Sequence, residues 1–307
     1  MPHTRLPRFR RAVEIAPMEL TSRDRAILRQ VHRHRFLRSS HLVSLLGGSR
    51  QHVLRRLQLL FHHGYLERPR AQLDHFHQGG GSRSLVYGLG NKGSAILKRE
   101  LGLPFHKVKW GAPNRDTGRL YLEHTLLIAD VMVSLELACR QAGDVKLLTG
   151  DELPLPETAM CHREPFRWRV NVTNRLKCGV IPDQVFALEH SGGRRQFYFL
   201  EADRATMPVV RQNLAQSSFY RKLLAYEATW TQNIHRSRLG FNRFRVLTVT
   251  SSPERVRTML EACQQLERGQ GLFLFTDGDS LLAHPELLIA PWQNGKGEPE
   301  SLDQRHG

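Results

Sequence analysis

Three carboxylates in the second half of the chain have the spacing of a divalent-cation site. Asp183 follows Pro182 inside the apolar run Val180 to Leu188, and Glu201 and Asp203 end the very apolar run Phe197-Tyr198-Phe199-Leu200. Side chains two apart leave a strand on one face, so Glu201 and Asp203 are expected side by side, with Asp183 joining them from a neighbouring strand. Such a cluster can hold Mg²⁺, which polarises a phosphate and activates water for attack on a phosphodiester. Lys222, on the helix expected to follow, is the candidate charge stabiliser. The bland alternative is a salt-bridge lattice around an inactive fold, Asp203 pairing with Arg204 or Arg221 and Glu201 with Lys222.

A second chemistry lies in the first third, where cations gather on one helix. Residues 1–118 contain 22 Lys and Arg against 7 Asp and Glu, whereas residues 119–307 contain 23 against 22. The net charge of +16 is therefore a property of one region, and a field so placed suits a polyanion, because each cation set beside a phosphate releases counterions. In the segment 49–63, Val53, Leu54, Leu57, Leu60 and Phe61 point one way. Gln51, Arg55, Gln58 and His62 recur on the other, with Arg50, His52 and Arg56 beside them. Arg grips guanine bidentately and Gln adenine, so Arg50, Gln51, His52, Arg55 and Arg56 are the candidate DNA-reading residues.

The elements that must position these groups are legible as two domains. Thr21 and Asp24 have capping-box spacing and open a helix over about 22–34; Ser39 or Ser40 caps a short second helix that Gly47-Gly48 stops, and Ser49 caps the third. Tyr65 to Arg68 and Leu85 to Tyr87 read as two short strands joined by a Gly-rich span that holds Arg83, a further candidate DNA contact, and Asn91 caps a fourth helix. That order is the one in which a winged helix-turn-helix is built. The expected organisation is a basic arm over 1–20, a winged-helix domain over 21–102, a linker over 103–118, a mixed α/β domain over 119–292 and a disordered tail over 293–307. Within the α/β domain a long helix over about 120–141 precedes strands near 145–149, 167–173, 180–188 and 196–202. A helix over 209–228, a strand over 244–250, a helix to about 268 and a strand at 273–275 follow.

Other metal ligands are sparse. Cys161, His162 and Cys178 supply three donors, but the four cysteines are widely spaced with no C-x-x-C pair, so reduced thiols are the simpler reading. His75 and His77 share a side of the wing with no further ligand nearby, and His124, at a helix start, is read as bonded to backbone as readily as placed in a site.

The strand carboxylates, with a helix before them and a helix and strand after, resemble the restriction-endonuclease-like PD-(D/E)xK core. In that family the position of Asp203 is a lysine that orients or activates the nucleophile, so the resemblance implies a substitute from Arg204 or Lys222. The chain from about 20 to 292 also resembles the bacterial replication-relaxation family of plasmids and integrated mobile elements. The motifs are Glu123-His124-Thr125-Leu126, Pro182-Asp183, Leu200 to Thr206, Lys222 to Tyr226 and Pro291-Trp292. This resemblance implies work in plasmid replication or DNA relaxation, with double-stranded DNA and a relaxase or replication protein as partners. Two functions follow. One is a DNA-processing factor in which Asp183, Glu201 and Asp203 hold Mg²⁺ for phosphodiester hydrolysis. The other is a non-catalytic DNA-binding accessory factor or regulator whose α/β domain forms a homodimer or docks a partner. An RNA-binding or membrane-surface module fits less well, for want of an RNA-recognition signature, a long basic amphipathic helix or an apolar stretch near 20 residues; a cytoplasmic protein is expected.

Overall fold

A computed structural model describes residues 8–73, 84–102, 110–284, 286–289 and 292–303. The chain divides into two units, Met1–Val133 and Ser134–Gly307. It is a mixed α/β protein whose larger sheet combines parallel and antiparallel strands.

In the first unit helix α1 (Ser22–His34) opens on a complete capping box: Thr21 Oγ1 accepts from the Asp24 amide and Asp24 Oδ2 accepts from the Thr21 amide. A three-residue strand β1 (Phe36–Arg38), which sequence periodicity does not reveal, leads into α2 (Ser39–Leu46). Gly47 and Gly48 turn the chain with φ of 64° and 75°, a conformation that favours glycine, and Ser49 caps α3 (Arg50–His62). Val53, Leu57, Leu60 and Phe61 of α3 are buried as expected. Strands β2 (Leu66–Glu67) and β3 (Val86–Leu89) complete an antiparallel sheet in the order β1-β3-β2, and α4 (Asn91–Leu101) follows. Gly93 brings α4 hard against the chain at Tyr65, since a Cβ there would lie 2.2 Å from the Tyr65 carbonyl oxygen. The wing segment with His75, His77 and Arg83 lies outside the described residues.

The expected linker over 103–118 is in part built into this unit. Helix α5 (Gly111–Arg115) is anchored where Asn114, fully buried, donates to the Leu89 carbonyl at 2.9 Å and Gly111 donates to the Asn91 side chain at 2.9 Å. Asn91 thus serves α5 rather than capping α4, whose N-cap is Gly90. The first turns of α6 (Arg119–Ala142) share a core cluster with Phe36 and Val86 through Leu122 and Leu126, so the division falls inside α6 rather than at its start.

The second unit holds strand β4 (Val145–Thr149), a short helix α7 (Glu157–Met160), a separate hairpin of β5 (Trp168–Thr173) and β6 (Leu176–Val180), then β7 (Gln184–His190) and β8 (Arg195–Ala202). Helices α8 (Phe219–Thr231) and α9 (Ile234–Leu239) precede β9 (Phe244–Thr250), α10 (Pro253–Gln264), β10 (Phe273–Asp277) and α11 (Gly278–Ala283). Strands β11 (Trp292–Asn294) and β12 (Pro299–Glu300) close the sheet, in the order β12-β11-β10-β9-β8-β7-β4. The pairs β8–β9 and β9–β10 are parallel and the others antiparallel. Phe199, Tyr226, Val246, Met259 and Phe275 belong to one core cluster.

Three further expectations need correction, the first being the helix expected over 209–228, which begins only at Phe219 where Ser218 caps α8. The run 180–188 is two strands, not one: Pro182, which has no amide proton to give a ladder, separates β6 from β7. The expected disordered tail over 293–307 is, over its described residues 293–303, an ordered hairpin. Asn294 Oδ1 accepts from the amides of Lys296 and Glu298 to make a tight turn, Leu302 is fully buried, and Glu300 pairs with Arg245. Among the described residues, no helix is long and apolar enough to cross a membrane.

Candidate functional site

The basic helix α3 divides its polar residues into two sets. Arg50, Gln51, His52 and Arg55 are exposed on its first turns, and among the described residues neither arginine has an ion-pair or hydrogen-bond partner for its side chain. Arg56 is turned inward: Nη2 donates to Asp24 Oδ2 at 2.5 Å and to the Glu19 carbonyl at 3.0 Å, and Nε donates to Asp24 Oδ1 at 2.8 Å. Burial pushes the Asp24 carboxyl up, but hydrogen bonds from Arg56 and Thr21 outweigh it and hold the group below its usual range. His62 is buried too, its Nδ1 accepting from the Ala12 amide at 3.1 Å; burial, then the cations Arg68, His63 and Arg11, push its pKa down. Of the residues expected on the polar face, His62 therefore faces protein and Gln58 is half-buried. Arg83 falls outside the described residues.

The basic arm is partly structural. Arg11 bonds to Glu67 at 2.5 Å and to the Phe61 carbonyl at 3.1 Å. Arg68, which sequence reasoning did not single out, is buried with its guanidinium 4.1 Å from the Phe61 ring centre and 5.1 Å from that of Tyr87. It donates to the Arg8 carbonyl at 2.5 Å.

The carboxylates of the second unit also separate. Glu201, near the end of β8, is buried; Lys222 Nζ donates to its Oε2 and Tyr226 Oη to its Oε1, both at 2.5 Å. Lys222 and Tyr226 are four apart on α8 and so share a face. Asp183 stands beside this pair, its amide donating to the Leu200 carbonyl at 3.0 Å and its Oδ2 accepting from the Ala202 amide at 2.8 Å. Asp203 lies one residue past the strand and belongs to another group. Arg255 of α10 grips both of its oxygens, Thr250 Oγ1 donates at 2.7 Å and the Ala205 amide at 3.0 Å.

The electrostatics follow from these partners. Burial pushes the Glu201 carboxyl above its usual value, with Lys222 opposing and Asp183 adding to the rise. For Asp203 burial acts in the same direction but is outweighed by Arg255 and Thr250, which hold the group low. Burial would lower the Lys222 ammonium, yet the charge of Glu201 keeps it raised. Among the described residues the three carboxylates do not come together as one Mg²⁺ set. Both oxygens of Glu201 and of Asp203 are already engaged, and among the described residues no three His, Cys, Asp or Glu side chains are grouped to hold a metal ion. Nor do Cys161, His162 and Cys178 come together: Cys161 is exposed, whereas Cys178 is in the core with Arg221 Nε donating to its sulfur at 3.1 Å.

The model of the replication-relaxation family matches residues 28–243, more than two thirds of the chain. The chain belongs to the replication-relaxation family. The match begins within α1 and ends just before β9. It takes in α3, Asp183, Glu201, Asp203 and Lys222, but not Thr250 or Arg255, which hold Asp203, nor the closing Trp292. No curated protein and no solved structure matches the chain. In this member the Glu123-His124 motif lies on α6 in the first unit, with Glu123 paired to Arg119 at 2.7 Å and His124 half-buried; the carboxylates are in the second unit.

Proposed function

We propose that this replication-relaxation protein is a double-stranded DNA-binding factor in the replication or relaxation of a plasmid or mobile element. Its first unit works as a winged helix that presents α3 to DNA. The observation that carries the reading is the exposed set Arg50, Gln51, His52 and Arg55 on α3, whose arginines have no side-chain partner among the described residues, whereas Arg56, Arg11 and Arg68 are bonded to other groups of the first unit. In this reading the second unit is a restriction-endonuclease-like scaffold whose carboxylates hold the fold together and whose surface docks a replication protein, a relaxase or a second copy.

Duplex binding measured by fluorescence anisotropy across a salt series tests this. Arg50→Ala/Arg55→Ala is expected to weaken binding and to lower the log–log salt slope by about 2, one unit for each phosphate left without its cation. Affinity indifferent to both the substitutions and to added salt would sink the reading.

A nuclease is the second reading, favoured by one observation: Lys222, on the helix after the strand, meets Glu201 beside Asp183. Calorimetric titration with Mg²⁺ or Mn²⁺, with supercoiled-plasmid nicking in the same buffers, separates the two on wild type and on Asp183→Ala/Glu201→Ala. We expect neither metal binding nor nicking from the wild type. Both present, and both abolished in the variant, would make the protein a nuclease.

A further inference from the structure

The hairpin β5–β6 is a two-stranded ribbon with two unlike faces. Trp168, Val170, Cys178 and Val180 point into the core of the second unit, and Trp168 Nε1 donates to Thr229 Oγ1 of α8 at 2.9 Å. Gln232, just past α8, ties β5 by donating to the Asn171 carbonyl at 2.7 Å and accepting from its amide at 3.4 Å. The alternate residues Arg169, Asn171, Lys177 and Gly179 are exposed, as the period of two requires. The register sets Arg169 opposite Gly179 and Asn171 opposite Lys177 on that outer face.

This face is cationic in a region of the chain that is otherwise nearly neutral. Arg163, Arg167, Arg169, Arg175 and Lys177 fall within fifteen residues that contain one carboxylate, Glu164, and Glu164 is engaged by Arg167 at 3.1 Å. Among the described residues, the side chains of Arg169, Arg175 and Lys177 have no ion-pair or hydrogen-bond partner. Arg167, Trp168, Arg169, Lys177, Gly179 and the 58% exposed Ile181 line a depression of about 540 Å³. Gly179 faces open space there, since a Cβ added to it meets nothing within 4 Å.

We propose that the outer face of this hairpin is a second duplex-DNA contact, distinct from α3 and carried by the other unit. The major groove of B-DNA admits a two-stranded ribbon, and the Arg and Lys exposed on this one are suited to phosphate contacts. The inference rests on the DNA-binding reading above and adds a surface to it.

The full chain, a labelled duplex and a salt series test it. Arg169→Ala/Lys177→Ala is expected to weaken duplex binding about tenfold at low salt and to lower the salt slope by about 2. Gly179→Glu sets a carboxylate opposite Arg169 without a steric clash and is expected to weaken binding at least as much, whereas Gly179→Gln binds as wild type does. Melting temperatures unchanged across the three variants keep the effect on the surface. If the hairpin variants bind duplex normally while Arg50→Ala/Arg55→Ala is weakened, the second contact is overturned and the proposed function stands. Losses confined to single-stranded DNA or RNA overturn it as well, and a wild type that binds no duplex removes both.

Discussion

Arg56→Ala is expected to destabilise the first unit by about 3 kcal/mol, toward the lower end of what breaking a buried ion pair costs. Asp24 has no solvent exposure, and Arg56 donates to both of its oxygens. Removing the guanidinium leaves a buried carboxylate with only Thr21 for support, while the 24% exposure of the Arg56 side chain keeps the loss from being larger. The pH dependence follows from the lowered carboxyl. With a folded value below the usual 3.8, the pair contributes fully above that value and its contribution is lost as pH falls through the folded one. The gap between variant and wild type is thus widest at neutral pH and closes in strong acid. Arg55→Ala, one residue away and exposed, is expected to change stability by no more than about 0.5 kcal/mol while weakening DNA binding. Urea unfolding followed by circular dichroism, paired with duplex binding, separates the two. An Arg56→Ala protein as stable as wild type would mean that the Asp24 pair contributes nothing, and Arg56 would return to the candidate DNA-reading set.

That contrast marks where sequence reading stops. Local chemistry was legible: the Thr21/Asp24 capping box, the Gly47-Gly48 turn, the Ser49 cap and the inward row Val53, Leu57, Leu60 all form as their spacing requires. So was the approach of Lys222 to Glu201, although Tyr226, one turn further along α8, was not recognised as the second donor. What was not legible is pairing across the chain. Arg55 and Arg56 are alike in sequence, and only the fold, by setting Asp24 beneath one of them, makes one a surface cation and the other a structural tie. The two-residue spacing of Glu201 and Asp203 suggested a shared site, but the strand ends at Ala202 and Arg255, fifty-two residues on, claims Asp203. The closing strands failed the opposite way. Residues 293–303 look like a solvated tail because they are polar, yet Trp292 and Leu302 are buried and Tyr198 Oη donates to the Leu302 carbonyl. Two apolar anchors, with the Asn294 turn and the Glu300–Arg245 pair, hold a polar edge hairpin, and no periodicity announces them.

The other large effect is expected at Lys222, where the structural and catalytic readings predict different things. Lys222→Ala leaves the buried Glu201 carboxylate with Tyr226 as its remaining donor. The expected loss is about 2–3 kcal/mol at neutral pH, below the full cost of a broken buried pair because the Lys222 side chain is 43% exposed. Burial already raises the Glu201 carboxyl above 4.5 against the pull of Lys222, and removing the lysine raises it further. A carboxyl whose folded value lies above its unfolded one makes the protein more stable in mild acid, and that advantage is lost as pH rises through the folded value. The variant's deficit is therefore small near pH 4.5, grows toward neutrality and then levels. Adding Glu201→Gln to Lys222→Ala is expected to recover most of the loss, since no buried charge remains and the Gln carbonyl still accepts from Tyr226. A double-mutant cycle of urea unfolding at two pH values measures that coupling. A catalytic lysine gives a different pattern: Lys222→Ala would remove nicking with stability nearly unchanged at every pH, and Glu201→Gln would rescue nothing. Whether the deficit grows with pH or is absent therefore tests whether Glu201 is held by Lys222 to keep the second unit folded, the role that, in the proposed reading, leaves DNA contact to the exposed faces of α3 and the hairpin.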